Sequence, residues 1–79
     1  MIEKFIKALG GVDGPEVALR EGSPSTLTLT YGETSAYVAR ASKDDKAIRS
    51  IKGVTVHRAE ATESLASGTV RVEYQVTLV

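Results

Sequence analysis

Residues 69–78 read TVRVEYQVTL, with apolar side chains at every second position and polar ones between them. Successive side chains of a β-strand point to opposite faces of the sheet, so this stretch predicts a strand with one buried face and one wet face. A second alternating segment occupies residues 26–38. Alternation of this kind is typical of an antiparallel sheet, and it predicts an α+β domain.

The N-terminal segment has the spacing of a short amphipathic helix. Its apolar residues recur at positions i, i+3, i+4 and i+7 and therefore share one face: Ile2, Phe5, Ile6 and Leu9. Gly10-Gly11 ends this helix, and the glycine-rich run 10–15 is interpreted as a turn. Because a helix of under three turns is marginal alone, we expect its apolar face to dock on the sheet.

A β-hairpin is predicted over residues 26–40, after a weaker strand at residues 16–20. Gly32-Glu33 suits a two-residue type II′ turn, which requires Gly at its first central position. In the resulting register Thr28 lies opposite Tyr37 on one face, while the apolar residues of both strands share the other.

A second short helix is expected from about Lys43 to Lys52. Residues 42–45, Ser-Lys-Asp-Asp, resemble a capping box, in which the side chains of the first and fourth residues satisfy free backbone amides. Gly53 would end the helix. The helix would turn three apolar residues inward: Ala47, Ile48 and Ile51.

An extended segment at residues 54–61 changes its apolar parity, which predicts a β-bulge near His57 or Arg58. The elements therefore follow in the order α-β-β-β-α-β-β. We expect a single antiparallel sheet of about five strands with two short helices packed on one face. The length of 79 residues fits one compact domain, residues 1–79.

Composition argues against several classes of function. Without cysteine the chain has neither disulfides nor thiolate metal ligands, and we expect it to be cytoplasmic. No apolar run approaches the roughly 18 residues that span a bilayer, so no membrane contact is expected. His57 is the only histidine, and adjacent helical positions such as Asp44 and Asp45 point about 100° apart. We therefore predict no metal, no cofactor and no enzymatic activity.

Basic residues recur at every third position in the middle of the chain: Arg40, Lys43, Lys46, Arg49 and Lys52. Such a stripe on a helix suits contact with the phosphates of a nucleic acid. Against that reading stand Asp44 and Asp45 within the stripe, a formal net charge of zero, and few aromatic residues to stack on bases. Nucleic-acid binding is therefore kept as the alternative function.

Residues 48–56, IRSIKGVTV, followed by residues 68–78, GTVRVEYQVTL, resemble the end of the helix and the last two strands of dodecins. The resemblance covers roughly the last third of the chain and implies a twelve-subunit shell that sequesters flavin between aromatic side chains. Gln75 is the residue that it would carry over as a flavin contact. Gly53 stands where that family has its stacking tryptophan, and residues 34–40 read as strand instead of long helix.

These observations favour a small non-enzymatic binding or assembly protein that contacts copies of itself or a larger protein. We expect the contact at an exposed sheet edge, where the final strand pairs with another chain, or on the polar face of the hairpin. The candidate contact residues are polar or aromatic positions on those strands: Thr26, Thr28, Thr30, Tyr37, Arg71, Glu73 and Gln75. A homo-oligomer is the expected assembly.

Overall fold

A computed structural model describes residues 2–9, 14–64 and 66–79. The elements in chain order are α1 (Ile2–Leu9), β1 (Glu16–Arg20), β2 (Ser25–Tyr31), α2 (Thr34–Arg49), β3 (Val54–Glu63) and β4 (Val70–Leu78). The predicted α+β class with an antiparallel sheet is confirmed. The described residues form four strands instead of about five, in the order α-β-β-α-β-β.

The sheet has the strand order β1-β2-β4-β3, and all neighbouring strands are antiparallel. The segment 69–78 thus forms the central strand β4, with β2 on one side and β3 on the other. On the face away from the helices, Thr28 lies between Ala18 of β1 and Glu73 of β4. On the opposite face, Tyr74 lies between Leu27 and Ala59.

The core lies between the sheet and the two helices. Alternate residues of β2 and β4 are buried, as the sequence pattern predicts. The buried cluster also contains Phe5 and Leu9 of α1 and Ile48 of α2, so both helices pack on the same face of the sheet. Burying a large apolar side chain of this kind contributes about 1.5–3 kcal/mol relative to leaving it exposed.

The predicted hairpin at residues 26–40 is wrong in its second half. Residues 25–31 are strand, but α2 begins at Thr34, and β4 occupies the place beside β2. Tyr37, Ala41, Asp44 and Ile48 follow one another at helical spacing, and their side chains are buried or half-buried against the sheet. A sixteen-residue helix therefore buries one continuous stripe, which the short local alternation did not reveal.

The predicted capping box is also wrong, because the helix starts nine residues earlier, at Thr34 instead of Lys43. Glu33, in an extended conformation, is the N-cap of α2, while Ser42 lies in the middle of the helix and is exposed. The C-terminal half agrees with the expectation, since Ile48 is buried and Ala47 is half-buried. α2 ends at Arg49, before the predicted stop at Gly53.

Two further expectations are confirmed. α1 covers Ile2–Leu9 with Phe5 and Leu9 buried, although Ile6 stays 52% exposed. The register between β3 and β4 shifts between Val56 and Arg58, where the parity change predicts a bulge. The expected helix stop at Gly10-Gly11 and the start of the glycine-rich turn lie outside the described residues.

Candidate contact surfaces

The face of the sheet turned away from the helices brings together all the predicted contact residues except Tyr37. Across β2 and β4, Thr26 pairs with Gln75, Thr28 with Glu73 and Thr30 with Arg71. The threonines are half-buried by their neighbours, and the β4 side chains are exposed. These six residues form the outer face, a polar surface on the side of the sheet opposite the core.

Tyr37 is not part of that face, which corrects the expectation from the hairpin. It belongs to α2 and is half-buried on the helix side of the sheet. Its ring stands edge-on to Tyr31, with centroids 5.5 Å apart and an interplanar angle of 75°. This geometry favours packing between aromatic rings, so Tyr37 fixes α2 against β2.

The final strand is not an edge, which corrects a second expectation. β4 is paired on both sides, and the free edges of the sheet belong to β1 and β3. β1 is five residues long, and α1 packs against it. β3 is ten residues long, and its residues 57–63 are all exposed. The sheet therefore presents one short edge and one long edge.

The predicted basic stripe is only partly available at the surface. Arg40 points inward, where its Nη2 donates to the carbonyl of Leu9 at 2.8 Å and to Asp44 Oδ1 at 3.2 Å. Arg49 donates from Nε to both carboxylate oxygens of Asp45, at 3.1 and 3.0 Å. The exposed lysines of the stripe have no assigned partner in the described ranges: Lys43, Lys46 and Lys52.

Two carboxylates of α2 anchor the helix to the sheet. Asp44 is 1% exposed and accepts hydrogen bonds from the Tyr31 hydroxyl at 2.7 Å and from Arg40. Asp45 accepts from the Tyr74 hydroxyl at 3.0 Å. Burial, followed by the hydrogen bond to the carboxylate, raises the pKa of Tyr31 and likewise that of Tyr74. Each aspartate thus accepts a hydrogen bond from a tyrosine of a different strand, and these two bonds hold α2 against the sheet.

The long edge of β3 lies beside a groove on the helix side of the sheet. The groove has a volume of about 320 Å³ and lies between Tyr37 and Ala41 of α2 and Ala59 and Ala61 of β3. Ala59 and Ala61 face the helix side of the sheet and are exposed, although α2 packs against β3 as well as β2. α2 therefore leaves these two alanines of β3 uncovered.

Val38 is an exposed apolar residue on the same side of α2 as the groove. It is 74% exposed and shares a helical stripe with Ala41, Ser42 and Asp45, which line the groove at positions i+3, i+4 and i+7.

His57 lies at the bulge of β3, where its Nε2 and the Thr77 hydroxyl form a hydrogen bond. The loop at residues 21–25 forms the other side of an open polar cleft beside it. Within residues 2–9, 14–64 and 66–79, no cluster of three or more His, Cys, Asp or Glu side chains has the arrangement of a metal site. Neither described helix is long and apolar enough to cross a bilayer.

Comparison with protein-family models, curated proteins and solved structures found no match to this chain. The resemblance to dodecins therefore stays a prediction. The sequence indicated a strand at residues 34–40, where that family has a long helix. In the structure these residues are the start of a long helix, so this difference from the family disappears.

Sequence reasoning missed the edge of β3 as a candidate surface. The signal for it was present, because residues 58–63 alternate charged or polar residues with alanine and hold no large apolar side chain. Such a strand buries little on either face, as expected at the margin of a sheet. The buried position of Asp44 was also missed, although within the predicted helix it precedes Ala47, Ile48 and Ile51 at i+3, i+4 and i+7.

Proposed function

We propose that this chain is a small non-enzymatic assembly protein that associates with copies of itself through the free edge of β3. The observation that carries the proposal is the ten-residue β3 strand, which lies at one edge of the sheet and pairs only with β4 among the described strands. An unpaired strand edge exposes a row of backbone donors and acceptors, and these are satisfied when a second strand joins the sheet.

The surface beside the edge supports the same function. Ala59, Ala61 and Val38 are exposed on the helix side, so a strand added to β3 would find apolar groups to cover as well as backbone groups to bond. β1 offers a shorter edge, since it is half as long as β3.

In this proposal the aspartates of α2 and their hydrogen-bond partners stabilise the fold. Asp44, the buried carboxylate, is engaged by Tyr31 and Arg40, and Asp45 is engaged by Tyr74 and Arg49. Protein contact, with no chemical reaction, is therefore the function that we assign to the exposed parts of the sheet.

Light scattering over a dilution series tests self-association. We expect the mass to be a multiple of the monomer mass of 8.4 kDa at high concentration and to fall on dilution. A mass of one monomer at every concentration would overturn the proposal. Amide exchange measured residue by residue adds a local test: the outward amides of β3 should be protected in the assembly, while those at the free edge of β1 exchange rapidly.

Flavin sequestration is the second candidate, because α2 of sixteen residues followed by two antiparallel strands agrees with what the resemblance to dodecins implies. Gln75, its proposed flavin contact, lies on the outer face between Thr26 and Arg58. Titration of the purified protein into riboflavin tests it: quenching of flavin fluorescence that weakens in Gln75→Ala supports this function, and unchanged fluorescence excludes it.

A further inference from the structure

We infer that the partner of β3 is β3 of a second copy, paired antiparallel about a two-fold axis level with Ala59, so that the two sheets become one sheet of eight strands. This inference rests on the proposed self-association and specifies its geometry. A two-fold axis perpendicular to the sheet keeps the helices of both copies on the same face. It also makes one residue of β3 face itself across the axis.

The ladder between β3 and β4 identifies that residue. His57 is the extra residue of the bulge and has no register partner in β4, although its side chain bonds the Thr77 hydroxyl. The remaining ladder positions of β3 are Val54, Thr55, Val56, Arg58, Ala59, Glu60, Ala61, Thr62 and Glu63. Ala59 is their midpoint, so an axis at Ala59 pairs both strands over their full length and leaves His57 of each copy outside the ladder.

On the outer face, the side chains that oppose one another in this register are complementary in charge and polarity. Arg58 of each copy lies opposite Glu60 of the other, and Thr55 lies opposite Thr62. Within one copy Arg58 already donates to Glu60 at 2.8 Å. The axis therefore produces a square of four charges in which every neighbouring pair, within a strand or across the strands, is of opposite sign.

The helix side of the register is apolar at its centre. Ala59 faces Ala59 of the other copy, and Val56 faces Ala61, so the alanines at the margin of each groove are covered by a neighbouring strand. Backbone hydrogen bonds would hold the two strands at ladder distance, about 4.5–5.5 Å between opposed Cα atoms.

Charge excludes the nearest alternative registers. An axis level with Arg58 would oppose two arginines, and an axis level with Glu60 would oppose two glutamates, each a destabilising cross-strand pair. Charged side chains on an edge strand usually prevent pairing with other chains. Here their alternation along the strand selects one register with one partner, a second copy of the same chain.

Cysteine crosslinking tests the axis, because the chain has no native cysteine and any disulfide of a single-cysteine variant joins two copies. In Ala59→Cys the two sulfurs would lie at opposed positions, within the Cα separation of about 4.4–6.8 Å that a disulfide needs. We expect nearly complete dimer on a non-reducing gel after mild oxidation. Ala61→Cys is the matched control: its two copies would lie four ladder steps apart, about 13 Å, and should stay largely uncrosslinked.

Charge exchange tests the pairing independently. Arg58→Glu and Glu60→Arg should each weaken dimerisation, measured by light scattering or sedimentation, by about tenfold, because each change makes two cross-strand pairs repulsive. The double variant R58E/E60R restores every opposite-sign pair and should recover the parent dimerisation constant. Thermal unfolding of each variant shows whether the fold is intact.

The outcomes separate this inference from the proposed function. If the protein is an oligomer but Ala61→Cys crosslinks and Ala59→Cys does not, or if the double variant is weaker than both single variants, the axis at Ala59 is wrong while self-association stands. If the protein is a monomer at all concentrations, both the axis at Ala59 and the proposed self-association are wrong. Efficient crosslinking through Ala59→Cys, together with recovery in R58E/E60R, establishes the register.

Discussion

The Tyr31 hydroxyl donates a hydrogen bond of 2.7 Å to Asp44 Oδ2, and both side chains are almost completely buried between β2 and α2. This contact joins the strand that precedes Gly32 to the helix that follows it. Arg40 bonds the other oxygen of the same carboxylate and also the carbonyl of Leu9, so one aspartate links both helices to the sheet.

Tyr31→Phe should lower the free energy of unfolding by about 1–3 kcal/mol, because it leaves a buried carboxylate short of one donor. Urea denaturation measures the change. Tyr37→Phe is the control: its hydroxyl has no hydrogen-bond partner among the described residues, and its ring contact with Tyr31 is kept. Equal losses in the two variants would contradict the assigned role of the Tyr31 hydroxyl.

Arg40→Ala should destabilise the protein by about 2–4 kcal/mol, because Asp44 would remain buried without its cation and the Leu9 carbonyl would lose its donor. Arg49→Ala removes a similar i, i+4 ion pair at an exposed position and should cost at most about 0.5 kcal/mol. Thermal or urea unfolding of both variants gives the comparison. A larger loss of unfolding free energy in Arg49→Ala than in Arg40→Ala would contradict this order.

Stability should fall as the pH rises above about 10. Burial raises the pKa of Tyr31 and of Tyr74 above the ordinary tyrosine value of 10.0, so the folded protein retains phenolic protons that the unfolded chain releases. The stabilising contribution is complete below pH 10 and is lost progressively as the pH rises towards the raised values. Urea midpoints between about pH 8 and pH 11 test this, since Tyr31→Phe with Tyr74→Phe should flatten the decline.

Gly53→Ala should cost about 1–3 kcal/mol. Gly53 has a φ of +87°, and a methyl group there would lie 3.0 Å from the carbonyl oxygen of Val79, whose amide donates to the Gly53 carbonyl. At Gly32 an added methyl group meets no atom within 4 Å. Gly32→Ala should therefore leave the melting temperature unchanged or raise it, and a destabilised Gly32→Ala would refute this distinction.

Residues with strong period-two alternation could be placed from the sequence. Leu27 and Leu29 of β2 and Val72 and Tyr74 of β4 are buried as expected, because alternation determines which face of a strand enters the core. The bulge next to His57 followed from the same rule, since a break in parity requires an extra residue.

The strand that pairs with β2 could not be predicted from local alternation. Thr34 to Arg40 alternates weakly and follows a glycine that suits a hairpin, so local reasoning predicted a strand. The competing pairing of Leu29 with Val72 joins residues distant in sequence, and no local pattern reports it. The candidate edge was missed for the same reason, because which strand is outermost depends on the order of all four.

The central position of β4 has a consequence for synthesis of the protein. β2 and β3 are neighbours of β4 and not of each other, so neither has its main partner while the ribosome is still translating the codons for residues 70–78. The nascent chain can form α2 and the β1–β2 hairpin, but the two halves of the sheet close only when the last strand emerges. During that interval both strands carry open edges, and crowding of nascent chains on one messenger would favour pairing between neighbours before each has finished its own fold.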